Sequence, residues 1–306
     1  MRSRLIFVAL GVGAAALAGY FLYFRIISFG PANNKLQVTT SFYPLYFFTS
    51  QIAGDRAVVY NVTPAGAEPH DYEPTPQDIA RIEDSKLLVL NGGKFEAWGD
   101  KMKDSLNGQS TIVITVGEAL VNPEVSGDNS LIHDPHVWLD PILAKREAET
   151  IAQELEQIDP DNASYYDGNL RELESKLDDL DAKFQQGLSS CQKKDIITSH
   201  AAFAYLAREY GLRQVAISGF SPDEEPSAQQ LVKVADFAKS NNVDYIFFES
   251  LVSPKLSETI AREAGVKTMV LNPLEGLTDA EIAQGKNYFT EMENNLTNLK
   301  LALQCN

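Results

Sequence analysis

From Asp161 to Leu188 the chain runs without proline and, before Gly187, with a single glycine, Gly168, while Leu170, Leu173, Leu177, Leu180 and Phe184 recur at three- and four-residue steps. That spacing draws one apolar stripe along a helix. A helix of about 28 residues would be roughly 40 Å long, more than a small domain is wide. The stripe holds too little apolar surface to be a core by itself. The segment must therefore lie along a larger body and join the chain on its two sides.

Both flanks alternate strand with helix. Before the long segment, Val38–Ser41, Val58–Thr63, Lys86–Leu90 and Thr111–Val116 read as strands. Helices are expected at Tyr43–Ala53, Glu96–Leu106 and Pro141–Ile158, and another opens at Thr75-Pro76-Gln77-Asp78. There Thr75 can cap, Pro76 suits the first helical position, and Asp78 favours the positive helix end. After the long segment, strands at Asp195–Ser199, Gln214–Ile217, Tyr245–Phe248 and Val266–Leu271 alternate with helices at Ala201–Tyr210 and Ser227–Ser240. Ser253-Pro254 opens a further helix that Gly265 ends, and one last helix is expected from Asp279 to Gln304. This order predicts an α/β fold with mostly parallel sheets flanked by helices, and functional loops at the carboxyl ends of the strands. The expected division is an N-terminal segment, 1–35, a first lobe, 36–159, a linking helix, 160–190, and a second lobe, 191–306.

Three of the four histidines, His70, His136 and His200, sit where a strand runs out into a loop. A fold that converges these loops holds three neutral imidazoles around one point, most of a binding site for a borderline metal such as zinc. The formal charge of −16 includes four basic residues and no acid in residues 1–35, so the remainder is more acidic still. A nucleic-acid partner is excluded by that sign, because phosphate contacts require cations. Leu5 to Phe24 is apolar and uncharged between Arg2, Arg4 and Arg25. It reads as an uncleaved membrane anchor or as a signal peptide cut near Ala16-Leu17-Ala18, and either exports everything after about residue 35. The apolar run past Ala18 favours the anchor. Cys191 and Cys305 are then expected to pair in an oxidising compartment, fastening the C-terminus to its own lobe. The stretch Asn122–Asn129 reads as a mobile acidic loop.

Five markers in order give the chain a family likeness: Ser41-Phe42-Tyr43-Pro44, Glu68-Pro69-His70-Asp71-Tyr72-Glu73-Pro74, Asp134-Pro135-His136-Val137-Trp138-Leu139-Asp140-Pro141, Ser199-His200-Ala201-Ala202-Phe203 and Leu271-Asn272-Pro273-Leu274-Glu275-Gly276-Leu277. With these it resembles the ZnuA-like and TroA-like substrate-binding proteins of metal ABC importers across roughly residues 37–304. The resemblance implies two lobes tied by a long rigid helix, a metal held in the cleft between them, delivery to an ABC permease, and no enzymatic activity. It implies that His70, His136 and His200 are metal ligands. The fourth, after the last strand, is an aspartate, a glutamate or water in the family. Here Glu275 is the acid at that turn, and Asn272 stands where a direct aspartate would be expected. His133, three residues before His136, does not match a ligand position, and the histidine-rich loop that many zinc members carry in this region is missing. Manganese-type relatives tend to have a carboxylate where this chain has His200, so zinc is expected over manganese or iron(II). Glu249, ending the Tyr245–Phe248 strand, could reach the cleft and is expected to bind backbone amides there. A monomer, extracytoplasmic and tethered through its N-terminal segment, completes the expectation. Two other classes remain: an adhesin, and a zinc hydrolase with Glu68 or Glu275 as base. The latter lacks a His-Glu-x-x-His helix and a Gly-x-Ser-x-Gly elbow.

Overall fold

The computed structural model describes residues 35–120 and 134–306. The N-terminal apolar segment, the Asn122–Asn129 loop and His133 lie outside the described residues. Among the described residues no helix is long and apolar enough to cross a membrane.

The described residues from 36 onward fold as one compact unit containing two four-stranded sheets. In the first, β1 (Leu36–Thr40), β2 (Ala57–Asn61), β3 (Leu87–Leu90) and β4 (Ile112–Thr115) lie all parallel in the order β2-β1-β3-β4. Its helices are α1 (Tyr43–Ala53), α2 (Pro76–Asp84) and α3 (Gly99–Leu106), followed by α4 (Pro141–Ile158). Thr75 and Asp78 make a reciprocal capping box at the start of α2, as the sequence motif required. The long α5 (Ala163–Leu188) has 26 residues and begins behind a single 3₁₀ turn at Pro160–Asn162.

The second sheet repeats the first in topology. Strands β5 (Asp195–Thr198), β6 (Arg213–Ala216), β7 (Tyr245–Phe248) and β8 (Lys267–Val270) are parallel in the order β6-β5-β7-β8. They alternate with α6 (Ala204–Glu209), α7 (Ala228–Ser240) and α8 (Lys255–Ala264), and α8 ends at Gly265 in the left-handed conformation. The expected single last helix is two: α9 (Asp279–Ala283) and α10 (Tyr288–Ala302). Gly285, at φ +79°, breaks the run, and the Asn287 side chain accepts from the amides of Phe289 and Thr290 to start a new helix. Cys191 and Cys305 are disulfide-bonded, closing the C-terminus onto the start of the second sheet.

Period-two alternation places the sheets between layers. Leu87 and Val89 face a large core shared by both lobes, while Leu88 and Leu90 face a smaller one with Ile82, Trp98 and Met102. Likewise Ile196 and Phe247 enter the shared core, and Ile197 and Ile246 pack under α7 and α8. Helix α5 contributes Leu173, Leu177, Leu180 and Phe184 to the shared core. Polar bonds pin it along its length: Asn169 Nδ2 donates to Ile52 O of α1 at 2.9 Å, and Tyr210 Oη to Asp181 at 3.0 Å. The lobes are joined by one continuous hydrophobic core.

Candidate metal centre

Each of the four expected residues leaves the carboxyl end of a strand or the loop beyond it. His70 lies in the loop between β2 and α2, and His136 immediately precedes a 3₁₀ turn, Val137–Leu139, that leads into α4. His200 lies two residues beyond β5, and Glu275 comes after β8. Parallel strands aim all their carboxyl ends the same way, so loops far apart in sequence meet across the cleft.

They meet closely. His70 Nε2 lies 3.3 Å from His136 Nε2, and His136 Nε2 lies 3.2 Å from His200 Nε2. Glu275 Oε1 is 3.3 Å from the Nε2 atoms of His70 and His136 and 3.1 Å from that of His200. All four donor atoms fall within 4.8 Å of one another. Five of the six donor–donor separations are thus close to the roughly 3.3 Å between neighbouring ligands held about 2.0 Å from a tetrahedral zinc, and the sixth, from His70 to His200, is within 4.8 Å. The side chains of His136 and His200 have no solvent exposure, Glu275 has 1 %, and His70 has 8 %.

Two carboxylates behind the rings set their orientation. Asp134 Oδ1 accepts from the His136 amide at 3.0 Å and from its Nδ1 at 2.7 Å. Glu249 Oε1 accepts from the His200 amide at 3.2 Å and from its Nδ1 at 2.7 Å. An Nδ1–H donor leaves Nε2 with a lone pair, and both lone pairs point at the centre. Glu68 Oε1 accepts from the His70 amide at 3.2 Å. Aromatic walls complete the enclosure: Phe95 meets the His70 ring edge-on at 4.5 Å, Trp138 lies 5.2 Å from His136, and Phe220 stacks over His136 at 6.5 Å.

The electrostatics favour positive charge at the centre. Burial works against charging His200, yet Glu249 and Glu275 raise its pKa well above the usual imidazole range. His136 is raised as well, burial being outweighed by its hydrogen bonds to Asp134 and Glu275. His70 is lowered, chiefly by burial. Glu275, despite full burial, is held well below the carboxylate range by the three imidazoles, His200 foremost. Glu68 is pushed up to about 9 by burial and then by the Glu275 charge. Carboxylates arranged in this way stabilise either protons on the rings or a dication in their place.

Asn272 takes no place among the donors and instead shapes the turn: its Oδ1 accepts from the Leu274 amide at 2.8 Å. The orienting role of Asp134 goes beyond what the family markers imply, although its spacing carries a signal. An aspartate accepting from the amide two residues on is an Asx turn, and Asp134-Pro135-His136 is a sequence that makes one. Glu249 binds a backbone amide as expected, but its bond to the His200 ring depends on β5 and β7 being neighbours, and no local pattern reports that.

The sequence and the fold have counterparts among known proteins. The family model described as "Zinc-uptake complex component A periplasmic" matches residues 38–302. The high-affinity zinc uptake system protein ZnuA of Bacillus subtilis is 42% identical over 282 residues, covering 89% of this chain and 88% of that protein. The zinc-binding lipoprotein AdcA of Streptococcus pneumoniae is 42% identical over 280 residues, and the chain spans 56% of its length. The crystal structure of the Zn(II)-bound ZnuA-like domain of that AdcA superposes with a TM-score of 0.77 at 42% identity, covering 88% of this chain and 99% of that one.

Proposed function

Since the chain belongs to the family of periplasmic zinc-uptake component A, whose members are substrate-binding proteins and not enzymes, we propose that it captures Zn²⁺ between its lobes outside the cytoplasm and delivers it to an ABC permease. Zinc is the cargo, and His70, His136, His200 and Glu275 are its ligands. The observation that carries this reading is the set of four protein donors within 4.8 Å of one another, two of them oriented by buried carboxylates. Three imidazoles with one carboxylate suit zinc, whereas manganese and iron(II) favour more oxygen ligands and a higher coordination number. A hydrolase would need one position left for water. Four protein donors close the site.

In this reading residues 36–159 and 191–306 are the two metal-binding lobes, 160–190 the link, and 1–35 the tether or export signal of a monomeric carrier. Ligation requires neutral imidazoles, so acid releases the metal.

A competitive zinc titration of the full chain against a chelator of known affinity tests the proposal, repeated with manganese in excess. One tightly held zinc per chain, undisplaced by manganese and lost in His200→Ala, is the expected result. Weak or manganese-preferring binding overturns it.

A further inference from the structure

Trp138 is fully buried and stands between two ligands that come from different lobes. Its ring packs 5.2 Å from the His136 ring, 5.0 Å from Phe95 and 4.6 Å from Phe42. Its indole Nε1–H donates to the Pro273 carbonyl at 2.8 Å, across to the turn that presents Glu275. The Trp138 carbonyl in turn accepts from Tyr288 Oη at 2.6 Å, which seats the tryptophan backbone against α10.

The turn it grips needs support. Leu274, next to Glu275, has φ +59°, a conformation that residues with a Cβ adopt only when their surroundings impose it. On one side Asn272 Oδ1 accepts from the Leu274 amide at 2.8 Å. On the other, the indole N–H holds the Pro273 carbonyl. Pro273, Leu274 and Glu275 are all buried, so water is not at hand to replace that donor. One side chain thus fixes a wall of the His136 ring and the approach of the fourth ligand.

We propose that Trp138 is a positioning residue for the metal site: its indole N–H holds the Glu275 turn so that the carboxylate meets the three imidazoles at tetrahedral spacing, which favours zinc over metals that seek more ligands. The inference rests on the four-ligand reading of the site. Without the indole N–H the Pro273–Glu275 turn relaxes, Glu275 gains room to move or bind through both oxygens, and five- or six-coordinate metals gain.

The test compares the full chain with its Trp138→Phe variant, which keeps an aromatic wall and removes the donor. Zinc affinity is read by chelator competition, and site geometry from the visible absorption of the Co²⁺-loaded protein, intense for four ligands and weak for five or six. Trp138→Phe is expected to lose roughly tenfold to a hundredfold in zinc affinity, to weaken the cobalt bands, and to narrow the preference over manganese. On a Glu275→Ala background the same change is expected to cost little, because the group it positions is gone. Unchanged cobalt bands, or an equal loss on both backgrounds, would overturn the positioning role while leaving the zinc site standing. A parent chain that binds no stoichiometric zinc sinks the underlying reading instead. Should Trp138→Phe not fold, Asn272→Ala removes the other brace of the same turn, the acceptor of the Leu274 amide, and keeps Trp138. It must then reproduce the cobalt change, or the proposal fails.

Discussion

At the scale of single residues, the two carboxylates behind the rings and one carboxyl in the core give separable effects. Glu249→Gln retains the size of the side chain but removes the charge that fixes the His200 tautomer, so zinc affinity should fall by about 10- to 100-fold with the fold intact. A chelator titration beside a far-ultraviolet spectrum checks both halves of that statement. Glu147 is fully buried on α4, and neither of its oxygens has a hydrogen-bond partner among the described residues. Burial, reinforced by Glu96, raises its pKa well above the usual carboxylate range. A group raised in the folded state contributes stability that is complete below its unfolded value and is lost as pH rises through its folded value. Glu147→Leu should therefore stabilise the protein by about 1–3 kcal/mol near neutrality. Its advantage should grow as pH rises from the unfolded carboxylate value towards neutrality in urea unfolding; an advantage that shrinks with pH would contradict the assignment.

Among the elements, the extents of α1 and α4 match those expected from the sequence, and that of α5 was nearly as plain from its pattern. The apolar stripe put it at Asp161–Leu188, and the structure begins it two residues later, behind the Pro160–Asn162 turn. Gly168 sits inside this helix, and a methyl group added there would meet no atom within 4 Å. Gly168→Ala removes backbone freedom from the unfolded chain at no steric cost, so it should raise stability by about 0.5–1 kcal/mol. An unchanged or lower thermal midpoint would mean that the helix is not continuous through that position. The last helix is where pattern and structure part. Its apolar positions continue through the break, and only the positive φ of Gly285 with the Asn287 cap divides it. Asn287 is a visible cap, but one set against a long periodic run.

On the scale of the whole molecule, the shared core limits how the lobes can move against each other, while the disulfide acts within the second lobe. The bond joins residues 114 apart in sequence, so it restricts the unfolded chain strongly. Reduction should cost about 2–4 kcal/mol of stability. Chelator titration of the reduced protein should still find the zinc site, since the bond lies at the amino end of β5 and the ligands at the carboxyl ends of the strands. With α5 and one core running through both lobes, metal loading is expected to change the radius of gyration little in solution scattering. A wide closure would contradict that packing. Local pattern was enough for two alternating α/β halves, a long helix between them, and three histidines with one glutamate at strand ends in recognisable motifs. Their meeting was not local. Long-range packing alone puts β5 beside β7, which sets Glu249 on His200, and brings Trp138 to Pro273 across the cleft. Strand order and lobe packing are set by contacts between residues 49 and 135 positions apart, and hydrophobic periodicity carries no record of which distant partner an element will find.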